Sequence, residues 1–184
     1  MAFEPGCSRV TLLGKKQFDL QTGQGIAGAT TTTWNYDPYR GWLASKRYAD
    51  NTGPTYSNTP AGRLAGRRWA RTVGAQPLST TYLYNPAGDL QTVDYSDATP
   101  DVTYGYDRLG RQVSISSSGM TLNRVYSPSG LLLAERYTGG VLGGLAVTNL
   151  YDAVLRRTNL AVWRGSSRLY SVDYRYDPAA DWPW

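Results

Sequence analysis

The sequence predicts an all-β protein: tandem β-hairpins laid side by side in one extended, twisted antiparallel sheet. Three observations carry this expectation. The stretch Tyr-Leu-Tyr-Asn-Pro-Ala-Gly-Asp-Leu at positions 82 to 90 returns, in altered form, at least six times. A pair of aromatic residues two positions apart recurs as well. Composition agrees, with Tyr 15, Trp 6 and Gly 20 against 2 Phe and 2 Met, as in a chain with aromatic sheet faces and frequent tight turns. No long window places apolar residues at helical spacing, so helix is expected to be scarce.

The repeating unit reads as a hairpin on its own chemistry. Asn85, Pro86, Ala87 and Gly88 suit a type I turn, with Asn at the first corner, Pro set near φ −65° at the second and Gly in the fourth place. Tyr82 and Tyr84 share one face of the strand before it. A left-handed glycine after a type I turn closes a hairpin with a bulge. The same turn is expected at Thr59-Pro60-Ala61-Gly62, Asp107-Arg108-Leu109-Gly110 and Ser127-Pro128-Ser129-Gly130. Two copies depart from it: Asp37-Pro38-Tyr39-Arg40-Gly41 has an extra residue, and Asp152-Ala153-Val154-Leu155 has no glycine. A last copy, Asp177-Pro178-Ala179-Ala180, has Ala180 where Gly is expected, so that turn is expected to differ.

The aromatic pairs are Trp34/Tyr36, Tyr82/Tyr84, Tyr104/Tyr106 and Tyr174/Tyr176, with half pairs at Tyr56, Tyr126 and Tyr151. Glycine-to-glycine steps are 62−41 = 21, 88−62 = 26, 110−88 = 22 and 130−110 = 20 residues. A period in this range with one hairpin each marks an architecture built by stacking repeats, each marginal alone. The expected organisation is a lead-in region over residues 1–30, then about seven hairpin repeats over 31–184, the last one truncated. The wall is expected to be shaped by turn residues Gly62, Pro86, Gly88, Gly110, Pro128 and Gly130. Tyr82, Tyr84, Tyr104, Tyr106, Tyr126, Tyr174 and Tyr176 are expected to ladder across it.

Tyr-Asp-Arg-Leu-Gly-Arg (106 to 111), Tyr-Asn-Pro-Ala-Gly-Asp-Leu (84 to 90) and Tyr-Asp-Pro (36 to 38 and 176 to 178) resemble the YD repeats of the Rhs family. That family includes bacterial Rhs polymorphic toxins, the shell-forming components of Tc toxins, and teneurins. The resemblance covers roughly residues 30 to 180. Each motif alone is weak, and six or seven in register are specific. It implies a sheet that spirals as part of a hollow shell, enclosing a toxic C-terminal domain in many members. It also implies a secreted or cell-surface setting, and partners in the remaining repeats or the toxin domain of a larger polypeptide. The chain departs from a complete member in being far shorter, and in lacking a match to the segment that follows the shell.

The rest of the sequence bounds other functions. With His 0, a Ser-His-Asp or Cys-His arrangement or a His-based metal site cannot form within the chain. Asp37, Asp107, Asp152 and Asp177 recur at one turn position; acid chemistry or Ca²⁺ is one reading. A structural one is favoured, because Asn85 and Ser127 replace them in sister copies and all three side chains can cap a turn. Asp94, Asp97 and Asp101 fall in an acidic loop between repeats, solvated or weakly cation-binding. Neither catalysis nor a cofactor is expected.

Gly23-Gln24-Gly25-Ile26-Ala27-Gly28 spells GxGxxG, but a threonine run follows where a dinucleotide site needs a helix. Residues 9–13 and 17–21 read as two strands around a turn at 14–16. Gly139, Gly140, Gly143 and Gly144 read as a flexible loop. Cys7, alone, excludes an internal disulfide and is a reactive thiol, an intermolecular link or incidental, the last favoured. Residues 1–25 show neither a signal peptide nor, with the rest of the chain, an apolar run long enough to span a membrane.

A binding role has its own signal. Lys+Arg exceeds Asp+Glu by 19−14 = 5, and Arg63, Arg67, Arg68 and Arg71 cluster around Trp69. Arg67, Arg68, Trp69 and Arg71 are the candidate binding residues. Arg among aromatics serves single-stranded nucleic acid or carbohydrate, and equally serves cross-strand Arg–aromatic packing. Open strand edges also invite self-association.

Overall fold

The computed structural model describes residues 32–177. The expectations for residues 1–30, Cys7 and the GxGxxG stretch among them, and for Pro178 to the end lie outside the described residues. All regular structure among the described residues is β, with no helix. The described residues form two compact units: 32–83 with 93–99, and 84–92 with 100–177.

The first unit contains β1 (Thr33–Tyr36), β2 (Leu43–Arg47), β3 (Thr55–Asn58), β4 (Leu64–Val73) and nearly all of β5 (Gln76–Tyr84), each antiparallel to the strand before it. β6 (Leu90–Tyr95) is divided between the units. The second contains β7 (Val102–Tyr106), β8 (Gln112–Ser117), β9 (Met120–Tyr126), β10 (Leu132–Thr138), β11 (Leu145–Tyr151), β12 (Arg157–Arg164) and β13 (Ser167–Asp173). They too pair antiparallel in chain order.

Two kinds of turn alternate. One is the repeated motif of the sequence. The other is a tight connection such as Ser118-Gly119, where φ is +50° and +71°, as a two-residue type I′ hairpin requires. Five register slips lie beside motif turns, at Asn35/Tyr36, Ser57/Asn58, Gly105/Tyr106, Leu132/Ala134 and Leu150/Tyr151, and two more lie away from them, at Arg68/Thr72 and Val162/Trp163. The extra residue adds local twist.

Burial is thin, because a single layer covers itself only with neighbouring side chains. The buried apolar residues are Leu78, Val93, Leu122, Ala134 and Ala161, joined by Thr80 and Asn149. In the second unit one row across the sheet is Tyr104, Ile115, Leu122 and Tyr137 on β7 to β10. On β8 the direct cross-strand neighbour of Tyr104 is therefore Ile115, and that of Tyr106 is Gln112. Toward β8, then, neither tyrosine faces another tyrosine.

The glycine cluster before β11 is a hydrogen-bonded turn, with Gly143 N donating to Gly140 O, Gly144 N to Tyr137 O and Leu145 N to Leu142 O. Gly139 has no alternative there. A Cβ on it would lie 2.0 Å from the carbonyl oxygen of Gly119.

Candidate functional site: the repeated turn and its tyrosine clamp

The feature that recurs most faithfully is the motif turn itself. In every described copy the first residue's carbonyl accepts a backbone N–H from the left-handed residue: Gly41, Gly62, Gly88, Gly110, Gly130 and Leu155 donate to Asp37, Thr59, Asn85, Asp107, Ser127 and Asp152. A second bond closes the hairpin, from Asp107 N to Arg111 O and its counterparts in the other copies. The first residue's side chain then caps the corner. Asp107 Oδ1 accepts from the N–H groups of Leu109 and Arg111, Asp152 Oδ1 from those of Val154 and Arg156, and Thr59 Oγ1, Asn85 Oδ1 and Ser127 Oγ each from the residue four later. Asp, Asn, Thr and Ser are interchangeable because one acceptor oxygen suffices. Pro86 and Pro128 occupy the second corner of their turns.

The copy without glycine keeps the same geometry. Leu155 takes φ +67° where the others have Gly, a backbone that L-residues adopt only at a cost. The copy with the extra residue spans its turn from Gly41 N to Asp37 O at 2.9 Å.

Four of the six described turns, those at Asn85, Asp107, Ser127 and Asp152, are gripped by a tyrosine of the following repeat. Tyr106 Oη donates to Leu90 O at 2.8 Å, Tyr126 Oη to Gln112 O at 3.0 Å, Tyr151 Oη to Leu132 O at 3.0 Å and Tyr176 Oη to Arg157 O at 2.8 Å. The accepting carbonyl in every case belongs to the second residue after the left-handed one, Gly88, Gly110, Gly130 or Leu155. In each case that residue is the first of the strand that leaves the turn. Where Asn58 replaces the pre-turn tyrosine, its shorter side chain bonds within its own turn, to Gly62 O, and one register pair, Ser45 with Thr55, joins β2 to β3.

Two copies add a charged layer. Arg111 bonds the Asp107 carboxylate at 2.7 Å and lies 4.7 Å over the ring of Tyr126; Arg156 bonds Asp152 at 2.8 Å and lies 4.5 Å over Tyr176. One arginine thus joins its own turn to the clamp of the next. Desolvation pushes the Asp107 carboxyl up, but the bonds from the Arg111 side chain and from backbone N–H groups outweigh it and hold it below the usual carboxylate range. Asp152 is lowered in the same way by Arg156.

The candidate binding cluster divides by strand alternation. Arg67 and Trp69 share a face of β4 with Tyr56 of β3, and Arg68 points the other way beside Thr55 and Ser79. The Arg67 guanidinium sits 3.5 Å over the Trp69 ring and 5.7 Å over Tyr56, and its Nε has no hydrogen-bond partner. Trp69 Nε1 donates to Thr80 Oγ1 at 2.9 Å. Arg71 lines a separate cavity of about 220 Å³ with Trp69, Leu78, Tyr95, Asp97 and Thr99, where Asp97 is lowered chiefly by its bonds from Thr99. Among the described residues no group of acidic, His or Cys side chains could hold a metal. No helix among them is long and apolar enough to cross a membrane.

Sequence reasoning found the turns and missed the clamp. The interval from a turn glycine to the next clamping tyrosine varies with the tight turn between, so no fixed spacing announces it. Trp69–Thr80 and Trp163–Thr148, an indole N–H bonding a threonine diagonally across a strand pair, were missed for the same reason.

No family model matches this chain, and no curated protein does. Among solved structures it is similar to the crystal structure of TcdB2-TccC3, with 17% identity and a TM-score of 0.61 over 74% of this chain. Over that span the chain has the fold of part of TcdB2-TccC3. The form of TcdB2-TccC3 without its hypervariable C-terminal region gives a TM-score of 0.62, and the Photorhabdus luminescens Tc holotoxin pore 0.61, both again at 17% identity. This chain spans about 7% of the length of each TcdB2-TccC3 or holotoxin chain it matches.

Proposed function

We infer that this chain is one arc of the wall of an Rhs-type shell, a non-enzymatic β-repeat segment whose larger polypeptide sterically encloses a toxin. The observation that carries the reading is the clamp repeated from turn to turn. In four successive steps a repeat supplies the tyrosine that bonds the carbonyl opening its predecessor's return strand, so the sheet grows by like steps and can be extended into a wall. The fold shared with TcdB2-TccC3, a toxin component of far greater length, supports it. Secretion or cell-surface exposure belongs to this proposal and rests on the family resemblance.

The test is the native polypeptide. An immunoblot of source cells with an antibody to this segment is expected to show a band several times the size of the 184-residue chain. Limited proteolysis of that polypeptide is expected to spare a C-terminal domain until the repeats are unfolded. A band of the chain's own size would overturn the shell reading and favour binding or self-association through strand edges. A rival reading is a module for carbohydrate or a protein surface, with the Trp and Tyr faces as its platform. Glycan-array binding lost on changing exposed Tyr and Trp would favour it. Single-stranded nucleic acid is less supported, since Arg67 already covers the Trp69 ring.

A further inference from the structure

The second unit carries a notch that the wall does not need. One cross-strand row runs Arg136 on β10, Ala146 on β11 and Trp163 on β12. Strands lie about 4.8 Å apart, so the guanidinium-bearing and indole-bearing positions stand roughly 10 Å from each other across a single methyl group. Beside Ala146 the floor continues over Gly144 and Gly165, whose backbones meet by a Gly165 N to Gly144 O bond of 2.8 Å. Large, small, large in one row leaves a cavity of about 550 Å³, lined also by Thr138, Leu145 and Thr148. That lies within the roughly 300–1,000 Å³ typical of small-molecule sites.

The lining has one kind of charge. Trp163 Nε1 is already committed to Thr148 Oγ1 at 3.0 Å, which fixes the indole as an apolar wall. Arg136 is exposed and has no ion pair among the described residues, and no carboxylate lines the cavity. Arg168, whose guanidinium lies 6.0 Å from the Trp163 ring centroid, adds a second positive group nearby.

We propose that this notch is a binding site for an aromatic carboxylate, the ring packed over Ala146 against Trp163 and the carboxylate held by the Arg136 fork. A guanidinium recognises a carboxylate through paired N–H donors, and it does so best beside an apolar wall that excludes water. A neutral polyhydroxylated ligand fits less well, because Ala146, Leu145 and the committed indole supply few hydrogen bonds.

The site is tested by saturation-transfer NMR and calorimetry on the 184-residue chain, with 3-phenylpropionate as probe and 3-phenylpropan-1-ol as its uncharged counterpart. The acid is expected to bind and the alcohol to bind at least about tenfold more weakly, the ratio expected for a lost charged hydrogen bond. Arg136→Gln, at an exposed position, should weaken the acid to the level of the alcohol without shifting Tm. Ala146→Leu, which fills the floor, should weaken both. Absence of acid binding up to roughly 10 mM, a scale at which a contact is negligible, would overturn the site. So would acid and alcohol of equal affinity, or acid binding unchanged in both variants at unchanged Tm.

Discussion

Tyr126 Oη donates to the carbonyl of Gln112, 14 residues earlier, while the guanidinium of Arg111 covers the same ring at 4.7 Å. One side chain thereby bonds the carbonyl of the first residue of β8 and links two consecutive repeats. Tyr126→Phe keeps the ring and the cation–π contact but strips the donor. It should cost about 1 kcal/mol, a net hydrogen bond, read as a lower urea midpoint. Arg111→Gln should cost less, since its ion pair is partly exposed. Unchanged stability in Tyr126→Phe would show that the clamp contributes nothing.

Leu155 holds φ +67° in a turn whose sister copies use glycine. Leu155→Gly should raise stability by about 0.5–1 kcal/mol, since relief of a left-handed leucine exceeds the added unfolded-state entropy of glycine. The mirror change, Gly110→Leu, should lower it by about 1 kcal/mol or more through backbone strain. At Gly110 a Cβ would meet nothing within 4 Å, so crowding at the first side-chain atom cannot be the cause. Thermal melts of the pair read both signs.

Thr80 is 2% exposed, and its hydroxyl accepts from Trp69 Nε1 at 2.9 Å. Trp69→Phe leaves that buried oxygen without its donor and should cost about 1–3 kcal/mol. Trp163→Phe should cost less, because Thr148 is not fully buried and its Oγ1 keeps a 3.5 Å contact with Ala161 O. Equal losses by denaturant titration would refute the burial argument.

The turn carboxylates set an acid limit. Asp107 and Asp152 are lowered in the folded chain, so the stability they contribute is fully present above the unfolded carboxylate value of about 3.9 and is lost as pH falls through their folded values. Tm should therefore be flat from neutral pH down to about 4 and fall below it. In the double variant Asp107→Asn, Asp152→Asn, as in the natural Asn85 turn, that acid fall should be shallower. An identical acid slope in the variant would assign it to other groups.

How much of this was legible beforehand differs by element. The motif turns could be read from Asn85-Pro86-Ala87-Gly88 because a type I turn with a bulge is decided by four adjacent residues. The Asp152 copy read as a departure, and the structure removes it: hydrogen bonds on either side hold Leu155 in the glycine conformation. The run at 139–144, read as flexible, is a bonded turn because Gly139 must approach Gly119. Arg67, Arg68, Trp69 and Arg71 read as one cluster. Period-two alternation puts Arg67 with Trp69 and turns Arg68 away.

By itself the sequence determined the class, the repeat and the corners, since propensity, turn chemistry and alternation act within a few residues. Only the tertiary structure decided which carbonyl each tyrosine grips, which arginine lies over which ring, and that Arg136 and Trp163 flank Ala146. Those relationships depend on register between strands 10 to 20 residues apart in the chain. Register is set by where each bulge slips and how long each tight turn is, and it is expressed only when the strands pair.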